Sequence, residues 1–133
     1  MSMAENSKLA PHRFLRQTWT TRDDLRANRD TLYVYGDNVD REGQRGLARQ
    51  MRGEPNAHPI SISWGPFKPF THATAKAAMI QITLDLDTLE THNLRLVVWP
   101  LLGVVPEFQT MPDEIADFLR RETLKRFQLT GPI

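Results

Sequence analysis

Residues 31–36, TLYVYG, are apolar or β-branched along their whole length and stop at a glycine. A strand with one wet face alternates apolar and polar residues. A run that does not alternate needs cover on both faces, as in a central strand with helices above and below the sheet. This run constrains the fold more than any other stretch of the chain. A second β-type run, NLRLVVWPLLG at residues 93–103, is ended by Pro100 or Gly103.

Helical patterns separate the runs. TTRDDLRANRD (residues 20–30) has Thr20 or Thr21 as cap, Asp23 and Asp24 in the first turn, and Asn28 as a stop. QRGLARQMR (44–52) places Leu47, Ala48 and Met51 on one side and is ended by Gly53 and Pro55. HPISIS (58–63) is a short strand, and WGPFKPF (64–70) is a proline-rich loop that does not fit inside a sheet. In residues 72–91, Ala75, Ala78, Met79, Ile82, Leu86 and Leu89 form a helical stripe, yet Ile80, Ile82, Leu84 and Leu86 also alternate like a strand. Length and the alanine-rich start favour a helix. MPDEIADFLRRETLKRFQ closes the chain as a helix with acids first and bases last. RFLRQTW (13–19) reads equally as a strand or as an arm lying against the domain.

Alternating strands and helices imply an α/β fold: a small three-layer, Rossmann-like domain with a mainly parallel sheet. At 133 residues, 40% hydrophobic and 25% charged, the chain is expected to form one domain over residues 13–133 behind a loose tail at 1–12. The absence of cysteine excludes disulfides and thiolate chemistry. A net charge of +1 argues against sequence-independent nucleic-acid binding. No apolar run has the length of a membrane span, and the N-terminus lacks the apolar core of a signal peptide, so a cytoplasmic location is the default expectation. His12, His58, His72 and His92 lack metal-ligand spacing, so no metal and no resident cofactor are expected.

The segment LYVYGDNVDREGQRGLARQMRGEPNA (32–57) gathers most of the residues with binding chemistry. Ligands of open α/β sheets sit beyond the carboxyl ends of the strands, and Gly36-Asp37-Asn38 lies at such an end. Asp37 or Asn38 can hydrogen-bond a ribose, an amide or a base edge. Gly43 and Gly46 precede a helix where free N–H groups attract anions, and Arg41 and Arg45 add charge. The competing reading makes Gly-Asp-Asn a turn, Gly46 a packing glycine and the arginines solvated. Glu54 and Asn56 either contact a ligand or form the turn itself, Glu54 pairing with Arg49 or Arg52. Trp64, Phe67 and Phe70 either stack a ring or meet a partner, or else fold back as a satellite core. There is no GxSxG elbow; a reaction would have to use Asp37 or Glu54 as base.

The same segment resembles a family of short bacterial and phage proteins with a signature of the type FVFGDNxxRxGxGGQAxxMRxEPNAxGIPT. Gly36, Asp37, Asn38, Arg41, Gly43, Gly46, Glu54 and Asn56 fall on it. That pattern is similar to macro domains, which bind ADP-ribose and in some cases hydrolyse ADP-ribosyl bonds. The resemblance implies a macro-like fold and a cleft for ADP-ribose or an NAD-derived nucleotide, with Gly103 marking a second, phosphate-facing loop. The chain departs from the pattern at Arg45-Gly46, at Pro59-Ile60-Ser61-Ile62, and at Val104-Val105-Pro106. Valines and a proline offer few N–H groups to a phosphate, which weighs against diphosphate binding in the macro manner. The alternative is a non-catalytic protein-interaction domain, phage-encoded, meeting its partner through Trp64, Phe67, Phe70 and Phe108.

Overall fold

The computed structural model describes residues 11–44, 46–106 and 109–133. The elements run β1 (Arg13–Gln17), α1 (Arg22–Ala27), β2 (Thr31–Asn38), α2 (Gly46–Met51), β3 (Ala57–Gly65), β4 (Lys68–Pro69), a 3-10 turn (His72–Thr74), α3 (Ala75–Glu90), β5 (Leu96–Pro100) and α4 (Asp113–Phe127). The sheet has the order β1-β5-β2-β3-β4 and is parallel except for β4. This is a small Rossmann-like α/β layer structure.

The unbroken apolar run of β2 is covered on both sides. Leu32 and Val34 point into the larger core with α3 and α4, where Ile82, Leu86, Ile115 and Leu119 meet Val97 and Trp99 of β5. Tyr33 and Tyr35 point the other way, onto Leu25 of α1 and Ala48 and Met51 of α2. Burying these side chains removes most of their apolar area from water, roughly 1.5–3 kcal/mol for each large one.

Local chemistry sets the element ends. Thr21 and Asp24 form a reciprocal capping box: the Asp24 N–H donates to Thr21 Oγ1 at 3.3 Å, and the Thr21 N–H donates to Asp24 Oδ2 at 2.9 Å. Asn28 caps the other end, its N–H donating to the Leu25 carbonyl. The ambiguous stretch before β5 is helix α3. Its buried stripe is Ala75, Ala78, Ile82, Leu86 and Leu89, which leaves Ile80 and Leu84 exposed. The 3.6-residue period wins because only that stripe fits against the flat sheet.

Residues 13–17, open between strand and arm in the sequence, are the edge strand β1, paired in parallel with β5. Two expectations need correction. Strand β2 does not stop at Gly36; it continues to Asn38. Residues 64–70 are not all loop: β3 reaches Gly65, and Lys68–Pro69 adds a short antiparallel edge, a position where proline is tolerated. His12, at the border of the expected tail, packs edge-on against Phe127 with ring centres 5.7 Å apart, while residues 1–10 lie outside the described residues.

The strand order reverses about β2. Its successor β3 lies on one side, and β5, reached from β3 through α3, lies on the other. Pairing of β2 with β5 covers only Thr31–Tyr33. Beyond Tyr33 the two strands are no longer paired, at the carboxyl edge of the sheet.

Candidate functional site

A cleft of about 740 Å³ opens at that edge. The ends of β2, β3 and β5, residues 42–44 and 46–48, and the β1–α1 connection all contribute to its wall. Among the sequence candidates, Gly36, Asp37, Asn38, Gly43, Gly46 and Gly103 line it. Arg45 lies outside the described residues.

The chain does not bend at Gly36. The residue lies within β2, and a side chain there would run into the Val104 carbonyl, so glycine is required because the segment after β5 crosses directly over it. The turn comes later, at Arg41, whose φ is +56°.

Asp37 is 3% exposed, and both of its oxygens are committed. Arg52 Nε donates to Oδ2 at 2.9 Å and Arg52 Nη2 to Oδ1 at 2.6 Å, a two-pronged, charge-assisted pair. The Asn38 N–H also donates to Oδ1, at 2.8 Å. Arg52 then reaches the glycine loop, donating to the Gly43 carbonyl at 2.8 Å and the Glu42 carbonyl at 3.0 Å. Asn38 closes the same loop: its amide donates to the Glu42 carbonyl and its side-chain oxygen accepts the Glu42 N–H. These contacts hold the guanidinium pKa above its ordinary value, the hydrogen bond to Asp37 being the main cause. The Tyr35 hydroxyl, buried on the same face of β2, is pushed up to about 12 by burial and then by the Asp37 charge.

The loop amides divide into two groups. Val39, Asp40 and Arg41 donate to the Ser63, Trp64 and Asn38 carbonyls, and Glu42 to the Asn38 side chain. The N–H groups of Gly43, Gln44, Gly46 and Leu47 meet no acceptor among the described residues. On the opposite wall the supply is spent, since Gly103 donates to the Pro100 carbonyl and Val104 to the Ile133 carbonyl. Gly103 needs its positive φ of +96°, and a side chain there would meet the Ile133 backbone.

Three of the candidates have other partners. Arg41 turns away to Asp85 of α3 at 3.3 Å and to the Asn38 carbonyl. Glu54, its side chain 7% exposed, is held by Arg22 at 2.5 Å, Arg29 at 2.8 Å and Arg26 at 3.6 Å, rather than by Arg49 or Arg52. Those hydrogen bonds, Arg22 first and Arg29 second, hold its carboxyl below the ordinary range. The Asn56 amide donates to the Leu25, Asn28 and Thr31 carbonyls, and its oxygen accepts from Arg29. Glu54 and Asn56 therefore fasten α1 to the start of β2 and are not among the residues lining the cleft.

The aromatic loop is split in the same way. Trp64 and Phe70 pack edge-on at 4.9 Å, Phe70 in the larger core and Trp64 against it, and Trp64 Nε1 donates to Thr74 Oγ1. Phe67 instead lines the cleft and is 80% exposed. Phe108 lies outside the described residues. The sequence reading missed Trp19, Lys68, Gln109 and Arg52 as neighbours of this cleft. No local pattern marks the first three, because distant segments bring them together. Arg52 carried a signal only as the arginine after Met51 in the family signature.

A family model matches residues 15–118 and therefore covers most of the chain. The protein belongs to DUF7831, a family of unknown function. The match spans every strand of this family member, β1 only from its third residue, and the first six residues of α4. No curated protein and no solved structure matches the chain. Among the described residues no group of three or more histidine and acidic side chains is placed to hold a metal ion, and no helix is long and apolar enough to cross a membrane.

Proposed function

We propose that the protein recognises a nucleotide, ADP-ribose or an NAD-derived ligand, in the cleft at the carboxyl edge of its sheet. The cleft itself carries this reading. It lies beside the strand about which the order reverses, and its 740 Å³ falls in the range of roughly 300–1,000 Å³ found for small-molecule sites. The amides of Gly43, Gln44, Gly46 and Leu47, which meet no acceptor among the described residues, offer donors to a phosphate on one wall, and the resemblance to macro-like proteins points to the same ligand class.

The reading is one of binding without hydrolysis. Asp37 is paired with Arg52 and cannot take a proton from water without losing that pair, and Glu54 is away from the cleft. With the amides of Gly103 and Val104 spent, the backbone donors left for a phosphate among the described residues are those of Gly43, Gln44, Gly46 and Leu47.

Thermal melting with ADP-ribose, NAD+ and AMP tests the proposal. A ligand at a hundredfold excess over its Kd adds about 2.7 kcal/mol to the folded state, which reads as a rise of several degrees in Tm. Gln44→Glu, at an exposed position, sets a carboxylate beside the amides and should cost at least tenfold in affinity with Tm unchanged. Absence of any shift across the panel, together with a flat calorimetric titration, would refute the proposal. A partner recovered through Phe67 in that case would favour the interaction reading.

A further inference from the structure

Helix α3 carries apolar side chains on a face that the fold does not use. Its buried stripe, Ala75, Ala78, Ile82, Leu86 and Leu89, is spent on the core. On the opposite side Ile80 is 60% and Leu84 53% exposed, one turn apart, with exposed Ala77 before them. A helix lying on a sheet is expected to be polar there, and isoleucine is a poorer helix former than lysine or glutamate at such a position. The spacing 77, 80, 84 is the three-then-four pattern of a seam between two helices. None of the residues lining the cleft belongs to α3, so this face is separate from the ligand site.

Charge selects what can lie on the seam. Lys76 and Asp87 are eleven residues apart, close to three turns, so they stand in line along the α4 flank of the seam. Lys76 is exposed and makes no ion pair among the described residues. Asp87, its side chain 58% exposed, spends one oxygen, Oδ1, on Arg126. A second copy of α3 laid antiparallel about the level of Ile82 sets Ile80 of each copy against Leu84 of the other. The same register brings each Lys76 within one residue's rise, about 1.5 Å along the axis, of the other copy's Asp87. A parallel pair would instead set lysine on lysine and aspartate on aspartate. The face is therefore complementary to itself in apolar contact and in charge, as a two-fold contact must be.

We infer that the outer face of α3 is a homodimer contact, in which two copies pack antiparallel through Ala77, Ile80 and Leu84 with a Lys76–Asp87 ion pair at each end. The inference does not depend on the nucleotide reading. One helix pair covers less than the roughly 1,200 Å² of stable complexes, so the dimer is weak, with a Kd on the order of 100 µM.

Sedimentation equilibrium of the full chain, run from tenfold below that Kd to tenfold above it, should show monomers passing into dimers. Ile80→Glu puts like charges at the centre and should leave monomers throughout, with Tm unchanged because the position is exposed in the monomer. Lys76→Glu and Asp87→Lys should each weaken self-association by about tenfold, since two exposed pairs turn from attraction to repulsion. Lys76→Glu disturbs no ion pair inside the chain, so its effect reads the contact alone. An equimolar mixture of the two charge variants should recover the wild-type affinity, because each chain then supplies the charge the other lacks. Wild type that stays monomeric at the top of the range refutes the homodimer and leaves the face to a different partner. A dimer that survives Ile80→Glu refutes this face as its contact. Association lost with Ile80→Glu but indifferent to both charge reversals refutes the antiparallel register.

Discussion

At Asp37 a buried carboxylate and a partly buried guanidinium neutralise each other, and the same guanidinium holds two carbonyls of the glycine loop. Such a residue shapes a binding loop without touching the ligand. Asp37→Asn keeps the size but removes the charge, leaving Arg52 with a weaker acceptor beside the sheet. Breaking a fully buried pair costs about 3–5 kcal/mol; with Arg52 part-exposed we expect about 2 kcal/mol, read as a lower urea midpoint at unchanged slope. A midpoint within error of wild type would show that the pair is incidental. The aspartate was legible in the sequence as a polar residue at a strand end. Its partner was not, because the pairing depends on α2 turning Arg52 back under the loop.

At the scale of elements, α1 is six residues long and too short to persist by itself. Leu25 anchors it against Tyr33 and Tyr35, and the Glu54–Asn56 turn fastens it from below. Asn56→Ala would leave three carbonyls without their shared donor, two of those hydrogen bonds being fully buried, so we expect a loss of about 3 kcal/mol. Amide exchange should rise first in residues 21–28, ahead of β2. Uniform loss of protection over the whole sheet would contradict that local role. Read separately, the segment at 20–30 looked like a capped helix and the one at 52–57 like turn chemistry or ligand contacts. Only the fold joins Arg22, Arg26 and Arg29 to Glu54, across more than twenty residues of chain.

For the whole molecule, pH sets a testable pattern. Burial holds His12, His58 and His92 below the ordinary value of 6.5; at His58 burial outweighs the opposing hydrogen bond between Nε2 and the Asp85 carbonyl at 2.8 Å. A histidine with a lowered folded pKa binds its proton more readily once unfolded. Its contribution is therefore complete above pH 6.5 and is lost as pH falls from there through the folded value. Glu54 adds a second loss beneath its ordinary 4.5, since its carboxylate form is the one held by arginines. Chemical denaturation should thus show stability falling as pH drops below 6.5, and His58→Gln should flatten that fall. A midpoint constant from pH 7 to 5 in wild type would contradict this assignment.

Layer order, the parallel sheet and the helix faces were written in the sequence, because a covered strand, a capping box and a 3.6-residue stripe are local patterns with local causes. The ends of β2 and β3 were misjudged where glycine and proline looked like stops, since edge pairing and a crossing carbonyl can recruit both. The cleft was only half legible. Gly36, Gly43 and Gly46 sit in one continuous segment, whereas Gly65, Gly103, Trp19, Lys68 and Gln109 arrive from other strands and loops. Which polar groups still face the cleft and which are already spent was decided by tertiary contacts alone: a side chain's hydrogen-bonding capacity is set by its type, but its partner is set by what the fold brings within about 3 Å.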